Sequence, residues 1–331
     1  MKKLFLIDGN AIVHRAFHAI PKHFADINGV QTNAVYGFTS MLLNIINGQN
    51  PDCIAVTFDR PAKTFRHKEF AEYKATRTKA PDELYAQFAR IKEVVRAFNI
   101  PIYEIDGFEA DDVLGTLAVQ ATAADNELES YIVTGDMDLL QLVNDKVRVF
   151  APQSGFKAPK VYTPVEVEEK YGLTPDQIID FKAIKGDSSD NIPGVPGIGD
   201  KGATTLLQKY KTLDAVYENL DEITGSIHDK LEQNKELAYK SQYLVTIVLD
   251  VPVTLDMKAC KAHQYDEEKI LELFELLRFR SLVPKFEQAQ QLGLLGSGAT
   301  LPPRPENRQP LKKEPIKEPV KAPPVPQQSL F

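Results

Sequence analysis

The chain has 331 residues, 43% hydrophobic and 26% charged, with a formal net charge of −7. That suits a globular protein of about two domains with ample core, and an acidic balance argues against a general nucleic-acid coat. No apolar run is long enough to span a bilayer, the start is too short for a secretory segment, and isolated Cys53 and Cys260 exclude a disulfide framework or a thiolate metal site, so a reducing cytoplasm is expected.

Residues 4–7 read as a short buried strand ending at Asp8-Gly9-Asn10, followed by a helical pattern through Ile12, Val13, Ala16 and Phe17. A second helix is expected over 33–47, and a buried strand over 53–58 ending at Asp59. Residues 82–98 carry apolar side chains at helical spacing, and 100–105 read as a third strand. Gly107-Phe108-Glu109-Ala110-Asp111-Asp112 then places three acids at the start of a helix, a position that the helix dipole favours on its own account. A fourth strand over 131–133 ends in Thr134-Gly135-Asp136-Met137-Asp138, and 147–150 reads as a fifth. From about residue 171 the pattern is helical, with helices over 176–185, 201–209, 213–219, 227–248 and 270–282. Beyond 297 the composition shifts, with nine of the 22 prolines in 302–326, as in a disordered, semi-extended tail.

Strands alternating with helices indicate an α/β domain with a mostly parallel sheet, whose ligand sites lie beyond the carboxyl ends of the strands. One strand ending in Asp is ordinary turn chemistry; four doing so is not explained that way. Asp8, Asp59, Glu109, Asp111, Asp112, Asp136 and Asp138, with Asp187 and Asp190 from the helical part, are candidates for one cluster, against the alternative of scattered surface acids. Like charges about 4 Å apart repel by about 4 kcal/mol at an effective dielectric near 20, so such a crowd needs cations. With no His or Cys among them, the ligand chemistry points to Mg²⁺ or Mn²⁺ rather than zinc, and the number of acids suits two ions that activate water and hold a phosphate.

Seven Lys/Arg fall between residues 60 and 79. Arg66, Phe70, Tyr73, Lys74 and Arg77 have three-and-four spacing, which on a helix makes one face of cations and rings suited to phosphates and unpaired bases. The alternative is an amphipathic helix with its rings in the core. Gly194-Val195-Pro196-Gly197-Ile198-Gly199 joins two helical segments, either as a plain turn or as a helix-hairpin-helix that grips duplex DNA by its backbone.

Ile7-Asp8-Gly9-Asn10, Phe58-Asp59, Thr64-Phe65-Arg66-His67, Tyr73-Lys74-Ala75 with Arg77, the 107–112 and 134–138 stretches, residues 186–195 and residues 274–282 together resemble the bacterial 5′→3′ exonuclease and flap endonuclease family, best known as the N-terminal domain of bacterial DNA polymerase I. The resemblance covers about residues 1–290 and implies a PIN-like (resolvase-like) nuclease domain over 1–170. Within it an arch at about 62–92 passes a 5′ single strand. A helical DNA-binding domain follows over 171–290, with its hairpin at about 184–210, and then a tail over 291–331. It implies that Asp8, Asp59, Glu109 and Asp111 hold a first Mg²⁺ or Mn²⁺, and that Asp111, Asp136, Asp138, Asp187 and Asp190 hold or support a second, with Asp112 close to both. It also implies that Lys74 and Arg77 steer the scissile phosphate, that Tyr73 stacks on a base, and that Arg66, Phe70, Gly194, Gly197, Gly199 and Lys201 meet DNA, with K⁺ at the hairpin.

Gly202 departs from the family, which commonly has Thr there, and weakens the helix start by up to about 1 kcal/mol. The chain ends where a polymerase I would continue, as in a stand-alone, monomeric nuclease near the nucleoid. Gln327-Gln328-Ser329-Leu330-Phe331 resembles a sliding-clamp-binding pentapeptide, with Gln327, Leu330 and Phe331 as its anchors. The expected substrates are 5′ flaps, nicks and RNA primers. A non-catalytic DNA-binding scaffold and an RNA-directed PIN ribonuclease are the competing classes.

Overall fold

The computed structural model describes residues 2–153 and 158–295. The chain runs β1 (Lys2–Asp8), α1 (Gly9–Ala19), α2 (Asn33–Gln49), β2 (Cys53–Thr57), α3 (Phe65–Glu69), α4 (Asp82–Ala97), β3 (Ile102–Tyr103), α5 (Ala110–Ala124), β4 (Leu128–Val133), β5 (Val147–Ala151) and β6 (Lys160–Tyr162). Helices α6 (Pro164–Tyr171), α7 (Gln177–Lys185), α8 (Asp200–Tyr210), α9 (Leu213–Glu218), α10 (Ser226–Gln233), α11 (Lys235–Val245), α12 (Glu267–Leu276) and α13 (Val283–Leu295) follow.

The sheet order is β3-β2-β1-β4-β5-β6. All pairs are parallel except β5 with β6, a short antiparallel strand that the sequence pattern did not reveal. β1 sits inside, and its period-two alternation feeds two cores. Phe5 and Ile7 join helices α1, α2 and α4 on one face, while Leu4 and Leu6 join α5 and the 247–260 stretch on the other. The chain builds β2 and β3 to one side of β1 and then β4 and β5 to the other, so the order reverses between β1 and β4. Asp8 lies opposite Thr57 and Ile7 opposite Val133, which brings these strands to an end at one level. A crevice at that switch point is where an open α/β sheet binds ligands.

Beyond β6, and helix α6, which the pattern also did not reveal, three differences bear on the site. The 100–105 strand pairs only over Ile102–Tyr103, because it is an edge and Pro101 has no N–H to give; its carbonyl still accepts from Val56 N at 3.1 Å. The 227–248 helix is broken at Asn234, whose side-chain amide donates to the Lys230 carbonyl at 2.8 Å. Finally, the expected helical domain does not stay separate to residue 290. Helices α7–α11 share their own core around Phe181, Ile184, Val195, Ile198 and Leu207, but Phe274, Leu277, Leu282 and Phe286 pack into the core of Phe5 and Phe38. Helix α13, which was also not expected, completes that return.

Candidate active site

The strand ends deliver the acids. Asp8 closes β1 and caps α1: its Oδ1 accepts from Ala11 N at 2.9 Å and its Oδ2 from the Thr134 hydroxyl at 2.7 Å. Gly9 is required beside it, since a Cβ would drive into the Phe58 ring and the Thr57 carbonyl. Asp59 follows β2 and accepts from Ala110 N at 2.7 Å, tying the strand end to the first turn of α5. Glu109 is the N-cap of α5, and Asp111 lies in its first turn. Beyond β4, the Asp136 N–H donates to Thr134 Oγ1 at 3.0 Å and the Asp138 N–H to Asp136 Oδ1 at 2.9 Å. One hydroxyl, Thr134, thus links the β1 and β4 acids.

A cavity of about 230 Å³ opens at this rim. Asp8, Asp59, Glu109, Asp111, Asp136, Asp138 and Asp190 line it, with Asn10, His14, Tyr73, Lys74 and Arg77. Burial pushes the Asp8 carboxyl up to about 6 and the Asp59 and Asp136 charges add to it, against the Ala11 and Thr134 bonds. Burial and the Asp8, Asp136 and Asp59 charges push Asp111 well up as well. Glu109 differs. Burial raises it, but Lys74 and Arg66 outweigh that and hold it below the usual carboxylate range. Its oxygens accept from Lys74 Nζ at 2.7 Å and from the Tyr73 hydroxyl at 3.0 Å.

Lysines and arginines hold the rest of the rim. Arg77 pairs with Asp190. Lys182, on α7, pairs with Asp138 and with Asp187 Oδ2, the latter at 2.6 Å. Lys182 was not anticipated, although its place five residues before Asp187 on a helix was legible. His14, one turn past Asn10 on α1, was also missed. Among the described residues no group of three or more His, Cys, Asp or Glu already stands in metal-holding geometry, and Lys74, Arg77 and Lys182 instead pair with Glu109, Asp190 and Asp138. The seven carboxylates nevertheless fit a hard divalent ion: they offer only oxygen, and Asp111 makes no hydrogen bond or ion pair among the described residues to balance its charge.

Several expectations are corrected. Asp112 is fully buried and does not line the cavity; it is held by Arg66 at 2.7 and 2.8 Å and by the Glu109 and Val248 N–H groups. Arg66 is only 3% exposed and its guanidinium is committed to Asp112 and two backbone carbonyls, so it sits in the cavity floor rather than on a surface face of cations. Residues 66–77 do not form one helix. Helix α3 ends at Glu69, Lys74 takes a φ of +57°, and Lys74 N donates to the Asp190 carbonyl at 2.9 Å. That fold turns Tyr73 inward at 4% exposure, engaged with Glu109 rather than open for base stacking. Phe70 packs beside Tyr73 under the Lys240 ammonium, while Lys74 and Arg77 do reach the cavity.

The hairpin forms between α7 and α8 as expected. Gly194, at φ +62°, stands back to back with Gly186 and gives its N–H to Ser241 Oγ at 3.0 Å, so it is buried structure rather than a phosphate contact. Gly197, Gly199 and Lys201 are exposed, and α8 runs unbroken through Gly202. Gln327, Leu330 and Phe331 lie outside the described residues.

Two family models match in succession: "5′-3′ exonuclease, N-terminal resolvase-like domain" over residues 3–172, and "5′-3′ exonuclease, C-terminal SAM fold" over 173–268. The chain belongs to the 5′-3′ exonuclease family. Within that family it is 45% identical over 287 residues to DNA polymerase I of Bacillus caldotenax, covering 86% of this chain and 32% of the polymerase. It is 42% identical over 337 residues to DNA polymerase I of Chloroflexus aurantiacus, covering 97% and 36%. The chain therefore spans about a third of the length of these polymerases. The family fold recurs in the bacteriophage T5 D15 protein crystallised with metal ions, at TM-score 0.60, 18% identity and 88% and 99% coverage. It recurs also in human GEN1 bound to Holliday junction DNA, at TM-score 0.56, 14% identity and 87% and 71% coverage.

Proposed function

We propose that this chain is a divalent-metal-dependent 5′→3′ exonuclease and 5′ flap endonuclease that hydrolyses phosphodiester bonds in DNA and RNA primers during replication and repair. The observation that carries the reading is the cavity at the sheet's switch point, lined by seven carboxylates with Asp111 unbalanced among them. The T5 D15 flap endonuclease, crystallised with DNA and metal ions, supports it. Asp8, Asp59, Glu109 and Asp111 would hold one ion; Asp111, Asp136, Asp138, Asp187 and Asp190 would hold or support a second, Mg²⁺ or Mn²⁺. Bound there, the ions would supply Lewis-acid charge and a lowered water pKa.

The chain's own residues do the rest. Asp8 and Thr134 fix the rim of β1 against that of β4, so the acids keep their spacing. Lys74 and Arg77 sit on Glu109 and Asp190, and would turn from these acids to the scissile phosphate as positive charge enters the cavity. Tyr73 would orient Glu109 through its hydroxyl. Gly197, Gly199 and Lys201 would meet the duplex backbone without reading sequence. By this reading residues 1–170, with Asp187 and Asp190, carry the chemistry and helices α7–α11 the duplex grip, in a cytoplasmic monomer. Gln327, Leu330 and Phe331 would dock on the sliding clamp. Among the described residues no helix is long and apolar enough to cross a membrane.

The test is cleavage of a 5′-flap duplex with Mg²⁺ by wild type and Asp111→Ala. Cutting by wild type alone is expected. Equal cutting by both, or none by wild type, would overturn the reading.

A further inference from the structure

The hairpin between α7 and α8 holds a lysine at the loop where family resemblance implies a bound K⁺. Three of its carbonyls are already engaged: Val195 O accepts from Ile198 N at 3.0 Å, Gly199 O from Ala203 N at 3.0 Å, and Gly197 O from Lys230 Nζ at 2.9 Å. Each oxygen keeps a second lone pair, but the Gly197 carbonyl already faces a cation, and a bare K⁺ beside that ammonium would meet a like charge, so it fits this loop poorly.

Lys230 reaches the loop from α10. Its stem lies across the hairpin so closely that a Cβ on Gly197 would stand 3.0 Å from both Cε and Nζ. Gly197 also has φ +83°, so the left-handed turn favours glycine there. The ammonium forms no ion pair with a carboxylate among the described residues, and the Gly197 carbonyl is its one hydrogen-bond acceptor there. An ammonium has three N–H donors. One points into the loop, and the charge is left unneutralised beside the exposed residues Gly197, Gly199 and Lys201.

We propose that Lys230 is a tethered monovalent cation of the hairpin: one N–H fixes the loop through the Gly197 carbonyl, and the remaining donors take a backbone phosphate of the duplex. The hairpin then grips DNA without a bound K⁺. This rests on the reading of the hairpin as a duplex contact.

The test is fluorescence anisotropy of a blunt DNA duplex with the full chain, with Ca²⁺ replacing Mg²⁺, in KCl, NaCl or tetramethylammonium chloride at equal ionic strength. Wild-type Kd is expected to stay within about twofold across the three salts, since only general counterion release then acts. Lys230→Gln is expected to weaken binding about fivefold or more and to lower the salt slope by about one, while Lys230→Arg keeps both near wild type. A lysine that only braced the loop would change affinity and leave the slope alone. Wild-type binding fivefold or more tighter in K⁺ than in tetramethylammonium would overturn the proposal, taking about twofold as the general salt effect. So would Lys230→Gln with unchanged affinity and slope. If wild type bound no duplex in any salt, the hairpin reading itself would fall and this proposal with it.

Discussion

The Arg66 guanidinium grips both oxygens of Asp112, at 2.7 and 2.8 Å, in the floor beneath the acidic cavity. Arg66 also donates to the Leu244 and Thr246 carbonyls, and Asp112 accepts from the Glu109 and Val248 N–H groups. The pair thus staples the segment after β2, the start of α5 and the segment leaving α11 into one block. It fixes the N-cap on which Glu109 and Asp111 stand.

Removing one partner leaves a buried charge unpaired. Arg66→Ala is expected to destabilise the protein by about 3–5 kcal/mol, read by urea denaturation. A DNA contact would behave otherwise: the substitution would weaken DNA binding and leave the unfolding midpoint in place.

By the proposed reading, Asp111 would serve metal binding at a cost in stability, since burial and the neighbouring acids oppose its charge. Asp111→Asn removes one charge from a crowd of acids, and in EDTA it is expected to raise stability by about 1 kcal/mol, seen as a higher melting temperature. In Mg²⁺ the same variant is expected to lose cleavage by about a hundredfold or more. A metal-free melt at or below that of wild type would refute the crowding account.

Two acids give the metal-free protein opposite pH responses. Asp8 rises from 3.8 to about 6 on folding, chiefly through burial, so the folded state holds its proton longer. Its contribution is full below the unfolded value and is lost as pH rises from about 4 to 6, at most about 3 kcal/mol. Burial raises Asp187, but Lys182 and Ser189 outweigh it and bring it to about 2; its contribution is present above 3.8 and lost as pH falls through about 2. Urea denaturation in EDTA is expected to show stability falling between pH 4 and 6, and Mg²⁺ to flatten that fall. A flat metal-free profile would contradict the assignment of Asp8.

Lys182 stands between Asp138 and Asp187, two acids that the proposed reading gives to the second ion. Lys182→Met is expected to lower metal-free stability by about 1–3 kcal/mol, since it leaves two carboxylates without their cation. It is expected to strengthen Mn²⁺ binding in a thermal-shift titration, because no ammonium must first be displaced. Weaker Mn²⁺ binding would show that the lysine supports the ion instead.

The sequence by itself determined the strand-end acids, the α/β order and the glycine hairpin. These are local signals: apolar period marks strand or helix, and turn chemistry marks where each stops. Asp8, Asp59, Asp111, Asp136 and Asp138 could be named because a parallel sheet sends all its strand ends to one side. Tertiary structure decided everything that depended on a distant partner. Arg66 and Asp112 are 46 positions apart, and nothing local distinguishes a buried ion pair from a DNA contact and a metal ligand. Residues 70–77 have helical spacing, yet bonds from Lys74 N to the Asp190 carbonyl and from the Asn191 amide to the Glu72 carbonyl turn them down onto the acids. The return of α12 and α13 onto the core of Phe5 and Phe38 is likewise invisible in period alone, which tells which face of a helix is apolar and not which core receives it.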